Sequence, residues 1–238
     1  MPPPLVIAIE TSNPSSWREG LPRPGVAVGA LDAGGLRVLG VEDLDTSNPQ
    51  HDDLMACIDR AVRSAGATPR DVARVVVSAG PGGFTNVRIA VTTARMIAEV
   101  TGATCVPVPS AAVVAQRVHA PGPFAVALAS KGDTAFVTIF ADAWRPEHPG
   151  TILSAADLPA LAARGVLAFV GDQHLPATMR VEAAVAGMAI HHPVFDPVAC
   201  LEAGLTLPGV DPISLAPIYP REPEAVTKWR AMHQARPK

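Results

Sequence analysis

The chain has 238 residues, 48% hydrophobic and 17% charged, which excludes a disordered polymer and supplies apolar material for one or two compact lobes. A formal net charge of −3 excludes an autonomous nucleic-acid binder, whose grip would come from basic phosphate contacts. Three scattered cysteines, Cys57, Cys105 and Cys200, exclude a disulfide framework or a zinc site, and no uncharged stretch approaches the roughly 20 residues of a membrane span. The apolar run 5–9 is too short for a leader, so a soluble, cytoplasmic chain is expected.

Residues 5–10 read as a buried strand that ends at Glu10 and turns at Thr11 and Ser12. A Pro- and Gly-rich stretch covers 13–25. Strands at 26–31 and 36–41, joined at Ala33-Gly34-Gly35, complete a β-meander. Asn48-Pro49 starts a helix to about Ala65, stopped by Gly66. Its apolar face is Leu54, Ile58, Ala61, Val62 and Ala65, with Met55 and Cys57 at the edges. Residues 73–78, with Val75-Val76-Val77, have the continuous apolar character of a parallel strand covered on both faces.

Gly80-Pro81-Gly82-Gly83 then leads into a helix over 84–101, ended by Gly102. A strand at 104–108 follows, and Pro109-Ser110 caps a third helix from 111 to about 118. After Pro121-Gly122-Pro123 the order partly repeats. Strands at 124–129 and 135–140 flank a turn at Lys131-Gly132-Asp133, and a helix (155–163) and strand (166–170) come after. The pattern predicts an α/β fold with central parallel strands and an internal duplication, divided into lobes at 1–120 and 121–238. The tail from Pro217 has mixed charge and little periodicity, and is expected to pack loosely. Its bases Lys228, Arg230, Arg236 and Lys238 read as a solvated end, with an RNA contact as the alternative.

Which residues could carry chemistry? The turn at Gly80–Gly83 precedes a helix N-terminus suited to an anion, but no Lys-Ser or Lys-Thr follows as a P-loop requires. Close helix–strand packing and phosphate binding both remain open there. Glu10, Thr11 and Ser12 are the nucleotide-binding candidates, with Glu10 as a turn acceptor for Thr11 and Ser12 the competing reading. Adjacent His191 and His192, with His174 distant, lack metalloprotease spacing, so no metal is expected. Ser110 lacks a nucleophile context and reads as a helix N-cap.

The 84–101 helix has two apolar stripes: Phe84, Val87, Val91, Ala94 and Ala98, and on another side Ile89, Thr93, Met96 and Val100. Arg88, Arg95 and Glu99 share a narrow polar stripe. Covering one sheet requires one apolar stripe, so the second faces either a partner or a neighbouring helix of the same chain.

Gly80-Pro81-Gly82-Gly83-Phe84-Thr85-Asn86-Val87-Arg88-Ile89 resembles the signature Gly-Pro-Gly-Ser-Phe-Thr-Gly-Leu-Arg-Ile of the TsaB (YeaZ) family. Ile7-Ala8-Ile9-Glu10-Thr11-Ser12 is similar to that family's opening Leu-Ala-Ile-Asp-Thr-Ser. His51 sits where the family begins its first helix, and Pro217-Ile218-Tyr219-Pro220-Arg221 resembles its closing Pro-Val-Tyr-Leu-Arg. This chain departs in the stretch 13–25, which reads as an insertion, in Asn86 and Ala90 for usual glycines, and in Ala129-Ser130-Lys131 for the Asp-Ala-Arg that opens the second lobe.

The resemblance implies an actin/Hsp70/sugar-kinase-like (ASKHA) fold of two duplicated lobes with mixed sheets flanked by helices. It also implies a non-catalytic subunit without cofactor, paired with TsaD, which transfers threonylcarbamoyl to a tRNA adenosine, and with TsaE, an ATPase helper. A homodimer is expected when the chain is alone, and tRNA contact only inside the complex. The interface candidates are Met55, Ile58, Val62, Ile89, Thr93, Met96 and Val100. An ATP-dependent phosphotransferase or ATPase of the same superfamily is the alternative; a glycoprotease-like peptidase fails on ligand spacing.

Overall fold

A computed structural model describes residues 4–32, 34–45, 53–222 and 224–234. The expected helix start at Asn48-Pro49, together with Ala33, His51, Pro223, Arg236 and Lys238, lies outside the described residues.

The first sheet takes strands β1 (Leu5–Glu10), β2 (Gly25–Asp32) and β3 (Gly35–Asp43) as an antiparallel meander. Helix α1 (Leu54–Ser64) leads to β4 (Val72–Gly80), and α2 (Phe84–Thr101) leads to β5 (Thr104–Pro109). β1, β4 and β5 are parallel, giving the order β3-β2-β1-β4-β5. The valine run of β4 is covered on both faces. Val75 and Val77 face the α1/α2 side, and Val76 faces the other. Each buried side chain of this size contributes roughly 1.5–3 kcal/mol relative to exposure, which is why no polar position interrupts the run. Gly102 ends α2 in the left-handed conformation (φ 76°) that glycine adopts without a Cβ clash.

A short helix α3 (Ser110–Ala115) leads to the second sheet. Its strands are β6 (Phe124–Lys131), β7 (Thr134–Asp142), β8 (Arg145–Pro146) and β9 (Thr151–Ser154). A 3-10 turn at Ala155–Asp157 runs into α4 (Leu158–Ala163), followed by β10 (Ala168–Gly171), α5 (Ala177–Val185) and β11 (Ala189–His191). The order is β11-β10-β6-β7-β8, with β9 also on β7; β6 pairs antiparallel with β7 and parallel with β10. β6 thus repeats the place of β1, β7 that of β2, and β10 that of β4. The chain is a duplicated two-lobe α/β fold of the ASKHA type.

The duplication explains the placement of the helices. α1 and α2 cover one face of the first sheet, and α4 and α5 cover one face of the second. α3 lies between the sheets, where Ala111, Val114 and Ala115 pack with Phe124, Val126, Phe140 and Phe195. Two further helices, α6 (Pro197–Gly204) and α7 (Glu224–Gln234), follow the second sheet.

α6 corrects the division at 120/121. It packs on the first sheet, placing Ala199, Cys200, Leu201 and Ala203 against Val6, Ala8, Ala27 and Val76. The fit is close: a Cβ on Gly204 would lie 2.4 Å from Val76 Cγ1. The chain continues along the same lobe, exchanging hydrogen bonds between Val210 and Cys105 and donating the Ile218 N–H to the Ala79 carbonyl (2.7 Å). Residues 197–218 therefore belong to the first lobe. The tail from Pro217 ends in the helix α7, whose Val226, Trp229 and Met232 remain exposed, in keeping with the loose packing expected of it.

Candidate functional site

Three segments distant in sequence meet at the carboxyl ends of β1 and β4. β1 delivers Glu10, Thr11 and Ser12, all buried. β4 delivers Gly80–Gly83, where the Gly83 N–H donates to the Ser12 carbonyl (2.8 Å) and the Asn13 amide donates to Ser12 Oγ (3.0 Å). Gly82 faces the Ser12 backbone, and Gly80 (φ 103°) faces the Ile218 carbonyl, 2.9 Å from where its Cβ would stand. The glycines are thus required by close backbone approach, the packing reading of this turn.

Ile218 brings Tyr219 alongside. The Tyr219 and Phe84 rings lie 5.6 Å apart, tilted by 30°, and the Arg88 guanidinium sits 5.1 Å from the Phe84 centroid. Phe84, 60% exposed, does not join the buried stripe expected of it. At the first turn of α2 it stacks on Tyr219 instead.

Glu10 has no solvent exposure. Its Oε1 accepts from both the Ser12 N–H (2.8 Å) and the Ser12 hydroxyl (2.7 Å), closing the turn, while Oε2 is buried with no partner. Burial pushes its carboxyl above the usual range, against the Ser12 bonds, which pull it down. This is a turn acceptor sealed from solvent. Ser110 is corrected: the N-cap of α3 is Pro109, and Ser110 is the first helical residue, with its hydroxyl 2.9 Å from that of Ser78.

The outer face of α2 is open. Met96 is 65% exposed and Val100 87%, with Ile89 and Thr93 half-buried beside them. Two shallow depressions, of about 340 and 380 Å³, run along it, lined by Phe84, Arg88 and Thr92 and then by Arg95, Met96 and Val100. No helix among the described residues covers Met96 or Val100. On α1, Met55 is 59% exposed. Ile58 and Val62 are buried in the core with Leu5, Ile7 and Val28, so these two interface candidates are corrected. A helical wheel groups residues by angle but does not say which stripe meets the sheet.

Sequence reasoning missed the opposite wall of the site. Asp172 follows β10 and is buried; its Oδ2 accepts from the Ser16 hydroxyl (2.5 Å) and its Oδ1 from the His174 N–H (2.9 Å). A carboxylate at the carboxyl end of an apolar strand is the signal that singled out Glu10, and it applied here too. His192 Nε2 donates to the Ser16 carbonyl (2.7 Å), and burial pushes its imidazole below the usual range. Asp196, nearly buried, caps α6 through the Val198 N–H (2.9 Å) and pairs with Arg117, which also binds Glu202 (2.7 Å). Among the described residues, no group of three or more His, Cys, Asp or Glu side chains is arranged to hold a metal ion.

Residues 44–147 match the family model of TsaD, the tRNA N6-adenosine threonylcarbamoyltransferase. No curated protein matches the chain. Among solved structures, it is similar to an uncharacterized protein with similarity to peptidase YeaZ from Pseudomonas aeruginosa, at 19% identity and a TM-score of 0.67, covering 92% of this chain and all of that one. It is also similar to YeaZ from Pseudomonas aeruginosa, at 19% identity and a TM-score of 0.64, covering 91% of this chain and 99% of that one. A TsaD-family pattern over residues 44–147 is thus carried on a fold similar to that of YeaZ.

Proposed function

We propose that this chain is a non-catalytic assembly subunit that docks to and activates a TsaD-like threonylcarbamoyltransferase acting on tRNA adenosine. The observation that carries the reading is the uncovered apolar stripe of α2, Met96 and Val100 flanked by Ile89 and Thr93, with Met55 on neighbouring α1. Apolar side chains grouped on one helix face, rimmed by Arg88, Arg95 and Glu99, suit a protein interface with a polar border. A TsaE-like ATPase joins the same assembly, tRNA is met only within it, and without TsaD the stripe pairs two copies of this chain. The assembly works in the cytoplasm.

Two features weigh against the phosphotransferase alternative. Glu10 is committed to Ser12 beneath the surface, and residues 13–24 stand where the cleft between the lobes would open. Reconstitution tests the proposal: tRNA threonylcarbamoylation by the cognate TsaD is measured with and without this chain. Activity that requires the chain, with no ATP turnover by the chain alone, is expected. Modification at full rate without it would overturn the reading.

A further inference from the structure

The segment 13–24 leaves β1, makes a 3-10 turn at Pro14–Ser16 and returns to β2 across the mouth between the sheets. It is internally braced. Trp17 Nε1 donates to the Leu21 carbonyl (3.0 Å), and the Arg23 guanidinium lies 4.3 Å from the Trp17 centroid. Three hydrogen bonds tie it to the far side: Ser16 hydroxyl to Asp172, the Gln173 amide to the Ser15 carbonyl (2.5 Å), and His192 to the Ser16 carbonyl. The crevice left between this segment and residues 193–195 holds only about 10 Å³, room for about one water.

Two of the contacts between the lobes, among the described residues, differ in character. On one side, the apolar cluster around α3 and Phe195 joins the sheets by packing. On the other, segment 13–24 sets its three hydrogen bonds beside a narrow apolar crevice lined by Trp17, Leu21, Pro193, Val194 and Phe195. Lobes joined along one packed edge are free to hinge, and in open α/β folds the cleft at the carboxyl ends of the strands is where a ligand bridges them. Here the polar atoms that a ligand would meet on the second lobe, Asp172 Oδ2 and the Gln173 amide, are already satisfied by Ser16 and Ser15.

We propose that segment 13–24 is a built-in interlobe latch, holding the lobes closed from within the chain as a bound ligand does in a cleft protein. The inference is independent of what docks on α2. Cysteines placed at exposed Arg63 on α1 and Ala184 on α5 accept spin labels, while native Cys57, Cys105 and Cys200 are buried. With the latch intact, the distance between the labels is a single narrow distribution. In the triple variant Ser16→Ala, Gln173→Ala, His192→Ala, the distribution broadens toward longer distances, and amides at 172–175 exchange at least tenfold faster. A folded triple variant with the parent's narrow distribution overturns the proposal. Should the triple variant not fold, Gln173→Ala alone decides, since that side chain is exposed: faster exchange at 13–16 supports the latch, and unchanged exchange overturns it.

Discussion

Gly82 and Ser12 touch through their backbones: a Cβ on Gly82 would stand 2.4 Å from the Ser12 carbonyl oxygen, which already accepts the Gly83 N–H at 2.8 Å. Neither backbone can retreat without breaking that bond. Gly82→Ala is therefore expected to destabilise the chain by about 1–3 kcal/mol, the usual cost of overpacking a tight site. Urea denaturation measures it; a loss below about 0.5 kcal/mol would show that the turn relaxes freely.

Met96 and Ile58 make a paired test of which apolar positions belong to a partner. Met96 is 65% exposed, so Met96→Glu should leave folding within about 0.5 kcal/mol of the parent while abolishing association with TsaD and with a second copy. Ile58 is 6% exposed within the core, so Ile58→Glu should cost several kcal/mol or prevent folding. Sedimentation velocity and a thermal melt read both. A destabilised Met96→Glu monomer would remove the docking surface.

Glu10 gives a pH signature of defined sign. Burial raises its folded pKa above 4.5, so its contribution to stability is fully present below that value and is lost as pH rises through the folded pKa. Glu10→Gln keeps an acceptor for the Ser12 bonds and removes the buried charge. The variant's stability relative to the parent should therefore climb as pH rises above 4.5, followed by urea denaturation at a series of pH values. A constant difference would mean that the Ser12 bonds, and not burial, govern this carboxyl.

The exposed tail helix makes the fourth case. Two contacts of α7 are local: Trp229 stacks on His233 at 4.2 Å, and Arg230 pairs with Glu222 just before the helix (2.8 Å). Deleting residues 226–238 is expected to leave the melting temperature and the tRNA affinity of the assembled complex unchanged. A filter-binding measurement showing weaker tRNA binding would give the basic residues a role in RNA contact.

Much of the frame was legible because it rests on short-range signals. The two meanders, the valine strand, and α2 with its glycine stop all follow from period and turn chemistry. What escaped was set by tertiary contact. α6 is apolar on nearly every side because it is buried between the first sheet and α3, so it shows no amphipathic period to find. Asp172, Gln173 and His192 acquire meaning only through segment 13–24, which lies more than 150 positions away. Ile58 and Val62 were grouped correctly on one face, but angle alone does not assign that face to sheet or partner.

The return of α6 to the first sheet also bears on how the chain is made. Cys200 Sγ lies 3.8 Å from the Ile9 carbonyl, so the earliest strand is finished by one of the last helices. During synthesis one face of the first sheet, with Val6, Ala8 and Val76, has only Ala112 and Val113 of α3 to cover it until the whole second lobe has emerged. A fragment ending near residue 120 would carry that apolar face into solution and aggregate. The second lobe folds in the interval between the two halves of the first, so completion of the first lobe certifies that translation has passed through the second.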